Sequence, residues 1–404
     1  MKKEKKLKVV WLCHFSNKEL NNYFSSSINE FAPWINELIK IFNNKNDIRL
    51  YLICPNIFNN NNYKLKQNNI VYYLYKYKKN IKFKILKILL NKTSLIYRLN
   101  TIIARKNIKK IINKIGPDLI HLHGVENPRY SSGLLSFIGE IPELVTIQGF
   151  ITKSTVAKSK RVMHKKNIER KLLQNCKNFG VRTIDSIKYI KKFNSHANFY
   201  LHNYPYMLPN YRKNLDKNIC SKYDFVFFTR ICKDKGIEDL LFAMKYVKQI
   251  KPQSKLLVIG KSSPNYLIEL KRIVTKLELR KNVIFTGFLQ TQDEVHKLVS
   301  KAKICIHPSY HDNLPSTIIE SMYIGLPVIT YNVDGIDILN KNRESIILVN
   351  KGNSKKLGKK MIDLLLNKNK ARTIIENARI TVKKFYDSEK IYYDLLKIYK
   401  NIIL

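Results

Sequence analysis

Acidic residues are scarce in this sequence: 30 Asp and Glu stand against 74 Lys and Arg, which gives a formal net charge of +44 over 404 residues. An excess of this size is typical of nucleic-acid-binding proteins, and it also favours contact with an anionic membrane surface. Most of the basic residues are lysines spread along the whole chain, however, and they form neither one arm nor one stripe. We therefore favour solvated lysines on helix faces, keep an anionic membrane surface as an alternative, and expect no nucleic-acid partner.

Paired cysteines are missing as well. The six cysteines are widely spaced and no Cys-x-x-Cys pair occurs, so neither a zinc site nor a thiol-redox motif is indicated. Cys13, Cys54, Cys232 and Cys305 lie in or beside apolar runs, and we predict that they are buried, reduced thiols.

Long apolar runs are also missing. No run reaches the ~18 residues that a membrane-spanning helix needs. The basic start, MKKEKK, is not followed by the apolar core and small-residue cleavage site of a secretory signal. We therefore expect a cytoplasmic protein, at most peripheral at the inner face of the plasma membrane.

What the sequence does contain is a regular alternation of strand-like and helix-like segments, which predicts an α/β protein with parallel sheets. A polar, proline-containing stretch at 203–221 predicts a linker, after which the alternation restarts. The length suits two domains of roughly 200 residues. We predict two Rossmann-like, doubly wound domains that face each other across a cleft, with the ligand held at the facing strand ends.

The individual elements follow from apolar periodicity and from turn residues. In the first half, the predicted strands are 7–13, 48–54, 119–123, 144–147 and 178–182, the helices are 31–42, 81–115 and 159–175, and 56–69 is an Asn-rich loop. In the second half, the strands are 225–229, 255–260, 283–286, 304–307 and 326–331, the helices are 236–249, 266–277 and 293–300, and 354–404 is helical.

Residues 307–335, HPSYHDNLPSTIIESMYIGLPVITYNVDG, carry the strongest chemical signal. Asp312 lies in a polar loop after a strand, Pro315 is placed to open a helix, and Glu320 follows eight residues after Asp312. The free N–H groups of a helix start suit a phosphate. We predict that Asp312 accepts hydrogen bonds from sugar hydroxyls and that Glu320 reaches a ribose hydroxyl. The alternatives are that Asp312 is a turn or cap residue and that Glu320 is a surface charge on a helix.

Two cations follow the predicted strand 225–229, namely Arg230 and Lys235 in the segment FTRICKDKG. A planar guanidinium and a point charge at the carboxyl end of a strand suit a diphosphate. Alone they would be read as solvated loop charges. Together with the loop that carries Asp312, they predict one wall of a nucleotide-sugar site.

The order of these motifs resembles a known family. Arg-x4-Lys-Gly at 230–236, Val-Ile-Phe-Thr-Gly at 283–287 and Asp-x7-Glu at 312–320 look like the C-terminal half of the retaining glycosyltransferases of the GT-B fold, family four. The first half agrees more loosely, through Gly-Pro-Asp-Leu-Ile-His-Leu-His-Gly at 116–124, Thr-Ile-Gln-Gly at 146–149 and His202-Asn203. The resemblance covers about 9–385 and is specific over 228–335.

This resemblance implies a retaining, metal-independent transfer of a sugar from a nucleotide diphosphate sugar to a glycan or lipid-linked acceptor, in the synthesis of capsule, O-antigen or another cell-surface polysaccharide. It implies an acceptor-side domain at 1–205, a nucleotide-sugar domain at 206–380, and a final helix in 381–404 that packs back on the first domain. The residues that it assigns to catalysis are Arg230, Lys235 and Asp312. Those that it assigns to the donor are Glu320, Gly287, Phe288, Asn313, Leu314, Pro315, Ser316 and Thr317.

The sequence departs from the family pattern at three places. Asp312 stands where the family usually has Glu, the Gly-rich loop after the first strand is missing, and Gln148 replaces a His. Glutamine cannot act as a base, but it can hydrogen-bond a sugar hydroxyl. The residues that we predict on the acceptor or sugar side are Gln148, His123 and His14.

No cofactor is expected, and no metal. His121 and His123 alternate on a predicted strand and so share one face. A metal pair has no evident third ligand, and we favour a core or cleft-lining role for both. The chain also has no Asp-x-Asp motif of the kind that metal-dependent transferases use.

Two rival functions stay open. A nucleotide-sugar epimerase of the same fold would convert the donor without an acceptor. A non-catalytic basic protein that binds a membrane or nucleic acid would keep the fold and lack turnover. The departures from the family pattern at Asp312 and Gln148 leave this function open.

Overall fold

A computed structural model describes residues 6–26, 28, 32–78, 95–153, 159–205, 221–312 and 314–404. The chain divides into two compact units: Met1–Pro205 with Asp387–Leu404, and Tyr206–Tyr386. Each unit holds one predominantly parallel sheet with helices on it. The prediction of an α/β protein with two Rossmann-like domains is confirmed.

The first unit contains an eight-stranded sheet of order β3-β4-β2-β1-β5-β6-β7-β8. Its strands pair in parallel except for β3, which runs antiparallel to β4. The strands are β1 Leu7–Leu12, β2 Ile48–Pro55, β3 Tyr63–Gln67, β4 Ile70–Tyr75, β5 Leu119–His123, β6 Glu143–Thr146, β7 Asn178–Val181 and β8 Asn198–Leu201. The helices are α1 Lys18–Tyr23, α2 Pro33–Asn43, α3 Leu95–Ile115, α4 Pro128–Ser131, α5 Lys160–Asn175 and α6 Ile184–Lys191.

Both faces of this sheet are covered, and successive residues of β1 show it. Val10 and Leu12 belong to an apolar cluster that includes α3 residues, whereas Val9 and Trp11 belong to a second cluster that includes α2 residues. Side chains of a strand point alternately to the two faces, so a strand covered on both sides must be apolar throughout. This explains the continuous apolar run VVWL.

The second unit repeats the plan with a six-stranded, all-parallel sheet of order β11-β10-β9-β12-β13-β14. Its strands are β9 Tyr223–Phe228, β10 Leu256–Ile259, β11 Val283–Gly287, β12 Ala302–His307, β13 Val328–Tyr331 and β14 Ile347–Val349. Its helices are α7 Ile237–Ile250, α8 Pro264–Lys276, α9 Gln292–Val299, α10 Ser316–Ile324, α11 Ser354–Leu366 and α12 Lys368–Phe385.

The last helix, α13 Ser388–Ile403, returns to the first unit. Asp387 caps it by accepting hydrogen bonds from the Glu389 and Lys390 amides at 3.0 and 3.3 Å. Its apolar face is buried with β1 and α2 residues in the first unit's second cluster. The predicted boundary at residue 381 falls inside α12, and the chain returns to the first unit at Asp387.

The prediction of a loop at 56–69 is wrong, because β3 lies within it. Asn68, at φ 51°, lies in the short turn that joins β3 to β4. β3 is an edge strand whose Lys64 and Lys66 are exposed, so it lacks the apolar run that marks a central strand. The edge strands β8 and β14 are also short and carry no strong sequence signal.

Three predicted segments fall partly outside the described residues. Residues 81–94 of the predicted helix 81–115 are among these, and 95–115 are helical. Residues 206–220 of the predicted linker and residue 31 of the predicted helix 31–42 are also outside. No helix within the described ranges has both the length and the apolar character that crossing a bilayer requires.

Candidate active site

Parallel strands bring the predicted donor residues of the second unit to one edge of its sheet. β9 and β12 are neighbours, and the loops that follow them carry Lys235 and Asp312. Because both strands point the same way, their carboxyl ends meet at the same edge, where open α/β sheets bind ligands. Two residues 77 positions apart in the chain thus become contact partners.

The centre of this edge is an ion pair between the Lys235 ammonium and the Asp312 carboxylate. The same Asp312 oxygen, Oδ2, lies 3.0 Å from Nε2 of His307, the last residue of β12. On its far side the His307 ring has the Thr317 hydroxyl 3.3 Å from Nδ1. The Asp312 amide donates to Asp334 Oδ2 at 2.9 Å. A cation, two carboxylates and a histidine are therefore joined in one network.

Charge states in this network follow from burial and from the partners. Burial alone would raise the pKa of Asp312, but the Lys235 ammonium and the hydrogen bond from His307 outweigh burial and hold that pKa well below its usual range. Burial lowers the pKa of His307, although the nearby Asp312 works against that shift. We conclude that a neutral His307 donates its Nε2–H to an ionised Asp312 and accepts from Thr317 at Nδ1.

Gly236 allows the Lys235 turn to lie against the loop after β12. Its φ is +68°, and a Cβ at this position would lie 1.9 Å from the Pro308 carbonyl oxygen. The Tyr310 amide donates to the Asp234 carbonyl at 2.8 Å, which joins the two loops through their backbones. Only glycine fits this conformation and this approach. The backbone therefore fixes the position of the Lys235–Asp312 pair.

The start of α10 lies beside this pair. Pro315 precedes the helix, and Ser316 and Thr317 are its first residues, so their N–H groups have no partner in a preceding turn. Leu314 is buried at φ 49°, a strained conformation for a residue other than glycine. Asn313 lies outside the described residues.

Glu320 lies one turn further along α10 and is only 7% exposed. Its Oε2 accepts from Gln292 Nε2 at 2.9 Å and lies 3.0 Å from His296 Nε2. Both partners belong to α9, whose start is fixed by a capping box between Thr291 and Glu294. The carboxylate is thus held through one oxygen by α9.

The remaining predicted residues of this unit are more open. Arg230 is exposed, two residues beyond the end of β9. Gly287 ends β11 at φ +76°, and Phe288, which follows it, is 46% exposed. In the sheet, β10 separates β11 from β9. These residues lie at the same sheet edge as Lys235 and have no direct contact with it among the interactions described.

In the first unit, the predicted acceptor-side residues follow three adjacent strands. His14 follows β1, His123 ends β5 and Gln148 follows β6, and the sheet places these strands side by side. The His123 ring is buried 3.7 Å from the His121 ring and 4.7 Å from Trp11, measured between centroids. Burial lowers the pKa of His14 to about 4, with a contribution from Arg129. Gln148 is half-buried.

A hydrogen-bonded chain passes behind His123. Trp11 Nε1 donates to the Tyr399 hydroxyl at 2.9 Å, and this hydroxyl lies 2.6 Å from His121 Nδ1. His121 Nε2 lies 2.6 Å from Thr146 Oγ1, which lies 3.0 Å from His202 Nε2. An indole N–H can only donate. Burial lowers the pKa of His121, so its ring is neutral.

A direction of donation that satisfies all of these contacts runs from Tyr399 to His121, from His121 to Thr146 and from Thr146 to His202. His202 can then donate its Nδ1–H to the Asn203 carbonyl, which is 3.3 Å away and can only accept. His121 is thereby fully paired inside the core, which is one of the two roles predicted for it from the sequence. No group of three or more His, Cys, Asp or Glu side chains in the described part of the chain is placed to share a metal ion.

Sequence reasoning named both members of the ion pair but missed their neighbours. His307, Asp334, Gln292 and His296 each contact a predicted residue. His307 is the final residue of a predicted strand, a position that could have drawn attention. Nothing in the sequence marks Gln292 or His296, since α9 reads as an ordinary surface helix.

Comparison with protein families identifies the second unit. Residues 212–381 match the model described as glycosyl transferases group 1. The matched segment lies within the second unit, and the relationship predicted from the sequence is confirmed for this family model.

Two curated relatives match over about half of the chain. The capsular polysaccharide biosynthesis glycosyltransferase CapM of Staphylococcus aureus is 27% identical over 193 residues, 48% of this chain and 49% of that protein. The N-acetyl-alpha-D-glucosaminyl L-malate synthase of Bacillus anthracis is 28% identical over 177 residues, 42% of this chain and 45% of that protein. The matched part of the chain spans about half the length of these relatives.

Solved structures extend the likeness to nearly the whole chain. Sucrose-phosphate synthase from Thermosynechococcus elongatus aligns with a TM-score of 0.75 at 17% identity, over 98% of this chain and 99% of that one. HepE of Anabaena aligns with a TM-score of 0.66 at 16% identity, over 98% and 100%. At these identities the likeness establishes the GT-B fold.

Proposed function

We propose that the protein is a retaining glycosyltransferase that moves a sugar from a nucleotide diphosphate sugar to a glycan or lipid-linked acceptor in cell-surface polysaccharide synthesis. The observation that carries this proposal is the Lys235–Asp312 pair at the carboxyl edge of the second sheet, inside the segment that matches the family model. The relationship to CapM supports a polysaccharide product. We place the reaction on the cytoplasmic side of the membrane.

The donor would lie along the edge formed by the loops after β9 and β12. Lys235 and Arg230 would hold the diphosphate together with the free amides at the start of α10. Glu320 would hold the ribose through Oε1, because Oε2 is already engaged by α9. Gly287 and Phe288 would flank the base. Asp312 would accept from the donor sugar.

Catalysis would consist mainly in stabilising the leaving group. As the bond from the sugar carbon to the diphosphate oxygen breaks, negative charge grows on the diphosphate, and Lys235 is already held in place by Asp312 to meet it. The acceptor hydroxyl would attack on the same face and pass its proton to the departing phosphate. This scheme uses no metal, and we propose none.

We propose UDP as the first nucleotide to test. HepE was solved in complex with UDP-glucose, and TarM of Staphylococcus aureus was solved in complex with UDP and alpha-GlcNAc-glycerol. The ligands of these two structures support a UDP-sugar donor for this chain. Thermal-shift screening against UDP-, GDP- and ADP-sugars, followed by donor hydrolysis with and without candidate acceptors, would identify the donor.

The site assignment predicts that Lys235→Ala and Glu320→Ala each lower turnover by about 10²-fold or more, as loss of a preorganised charge contact does. Lys233→Ala is the matched control, because Lys233 lies on the same turn with its side chain 62% exposed. Steady-state kinetics of donor consumption would measure all three. Full activity in both site variants would refute the assignment, and donor conversion without an acceptor would favour an epimerase.

A further inference from the structure

The first unit contains a cavity of about 540 Å³ that includes none of the predicted site residues. It lies between α3 and α5, which touch where Thr101 Oγ1 is 3.3 Å from His164 Nε2. Nine of its lining side chains carry polar groups that can donate hydrogen bonds, two are isoleucines, and none is a carboxylate. The charged groups of its lining are therefore all cationic.

Arginine and lysine from both helices line this cavity. Arg98 and Arg105 come from α3, and Arg170 and Lys171 come from α5. None of these four forms an ion pair with a carboxylate in the part of the chain that the structure describes. Arginine presents a planar fork of donors that matches phosphate oxygens.

The rest of the two helices adds further net positive charge. α3 carries six basic residues and no acidic one, and α5 carries six basic residues and one acid, Glu169. Glu169 is fully buried and accepts hydrogen bonds from the Ile151 and Thr152 amides at 2.9 and 3.0 Å. Its carboxylate therefore binds the loop at 151–153. The fold thus brings the basic residues of two separate segments next to each other.

The positive charges of the two helices act on one another. Burial lowers the pKa of Lys165, and the nearby Arg161 lowers it further. Like charges four residues apart destabilise a helix, and Arg161 with Lys165 and Lys166 with Arg170 are such pairs. A bound anion would relieve this repulsion. Ile102 and Met163, 51% and 57% exposed, add apolar surface on the same two helices.

We propose that the cavity between α3 and α5 binds a phosphate or diphosphate group, held by Arg98, Arg105, Arg170 and Lys171. Two sources share this chemistry, a soluble phosphate compound and the headgroup of an anionic lipid. The site is separate from the predicted donor site and does not depend on the proposed transferase activity.

The test compares two double variants of the full-length chain. Arg170→Gln/Lys171→Gln removes two cations from the cavity, and Lys271→Gln/Arg272→Gln removes an adjacent exposed pair from α8. Inorganic pyrophosphate, titrated by calorimetry, probes the soluble source. Sedimentation with phosphatidylglycerol vesicles, against phosphatidylcholine vesicles, probes the lipid source.

We expect the cavity variant to weaken binding of at least one probe about tenfold or more, while the α8 variant binds as the native chain does. The probe that is affected identifies the source. Equal binding by the two variants would overturn the proposal. If the cavity variant proves unstable in circular dichroism, Arg98→Gln replaces it as a single change from the other helix.

A third titration separates this proposal from the proposed function. Lys235→Ala removes the predicted donor cation and leaves the cavity intact. Loss of pyrophosphate binding in Lys235→Ala alone would support the donor site and rule out the soluble source for the cavity, and vesicle binding would then decide the cavity. Loss in the cavity variant alone would support the cavity and count against the donor site.

Discussion

Asp312 has two roles in the second unit. The sequence predicts an acid that faces a sugar, and the structure places the same carboxylate against Lys235 and His307. A carboxylate oxygen accepts more than one hydrogen bond, so both roles are compatible. The ion pair keeps a buried acid ionised and holds a cation at the sheet edge. We infer that the shorter side chain of Asp, compared with the family's usual Glu, suits this close pairing.

The depressed pKa of Asp312 makes a prediction about stability and pH. A carboxyl group whose folded pKa lies below its unfolded value, here near 3.8, stabilises the fold above that value and loses this contribution as the pH falls toward the folded pKa. Asp312→Asn should therefore lower the free energy of unfolding by about 1–3 kcal/mol at pH 7, and this gap should narrow below about pH 4.

Urea unfolding followed by circular dichroism at pH 7, 5 and 3 would measure the gap. Asp337→Asn is the control, since Asp337 is an exposed carboxyl group of the same unit and its replacement should change stability by less than about 0.5 kcal/mol. A gap for Asp312→Asn that stays constant or widens at low pH would contradict the ionised, paired state.

At the scale of elements, apolar periodicity was enough to predict the central strands of both sheets. β1, β5, β9 and β12 are covered on both faces, so their buried runs are continuous and easy to recognise. The edge strand β3 was not predictable in this way, because its alternate lysines face away from the core.

The candidate site shows a similar limit. A motif predicts Lys235 and Asp312 one at a time, but their contact depends on β9 and β12 being neighbours in the sheet. The contacts of α9 with Glu320 depend on how that helix packs, and packing leaves no local sequence signal. Residues that follow strands were therefore predictable, and the residues that support them from neighbouring helices were not.

Gly236 tests the idea that backbone contact positions the Lys235 turn. A Cβ there would meet the Pro308 carbonyl oxygen at 1.9 Å, and the positive φ adds strain. Gly236→Ala should lower the free energy of unfolding by about 2–4 kcal/mol, more than the ~1 kcal/mol expected of positive φ alone. Gly352→Ala is the matched control, with φ +77° and no atom nearer than 3.7 Å.

Thermal unfolding by circular dichroism would compare the two glycine variants. A loss of stability in Gly236→Ala no greater than in Gly352→Ala would mean that the loop after β12 moves away at little cost. In that case the Lys235–Asp312 pair would owe its position to its charges alone.

At the scale of the whole molecule, the chain leaves its first unit, builds the second, and returns to the first with α13. Specific hydrogen bonds hold α13 in addition to apolar packing, because Tyr399 joins the hydrogen-bonded chain that contains Trp11 and His121. The first unit is thus completed only by the last residues of the sequence. We infer that the first unit reaches its full stability only after the second has been synthesised.

Tyr399→Phe tests this closure. The change removes a hydroxyl that accepts from Trp11 and donates to His121, and it leaves two polar groups unpaired in the core. We expect a loss of about 2–4 kcal/mol in the free energy of unfolding of the first unit. The two tryptophans, Trp11 and Trp34, both lie in that unit, so urea unfolding followed by tryptophan fluorescence reports on it selectively.

Tyr392→Phe is the control for this change, since its hydroxyl donates at 2.6 Å to Asp47, which is exposed and regains water when the contact is lost. Its cost should stay below about 1 kcal/mol. If the two variants unfold at the same urea concentration, the Tyr399 hydroxyl contributes no more than a surface contact. Apolar packing of α13 would then be sufficient to close the first unit, and the direction of donation through His121 would have no bearing on its stability.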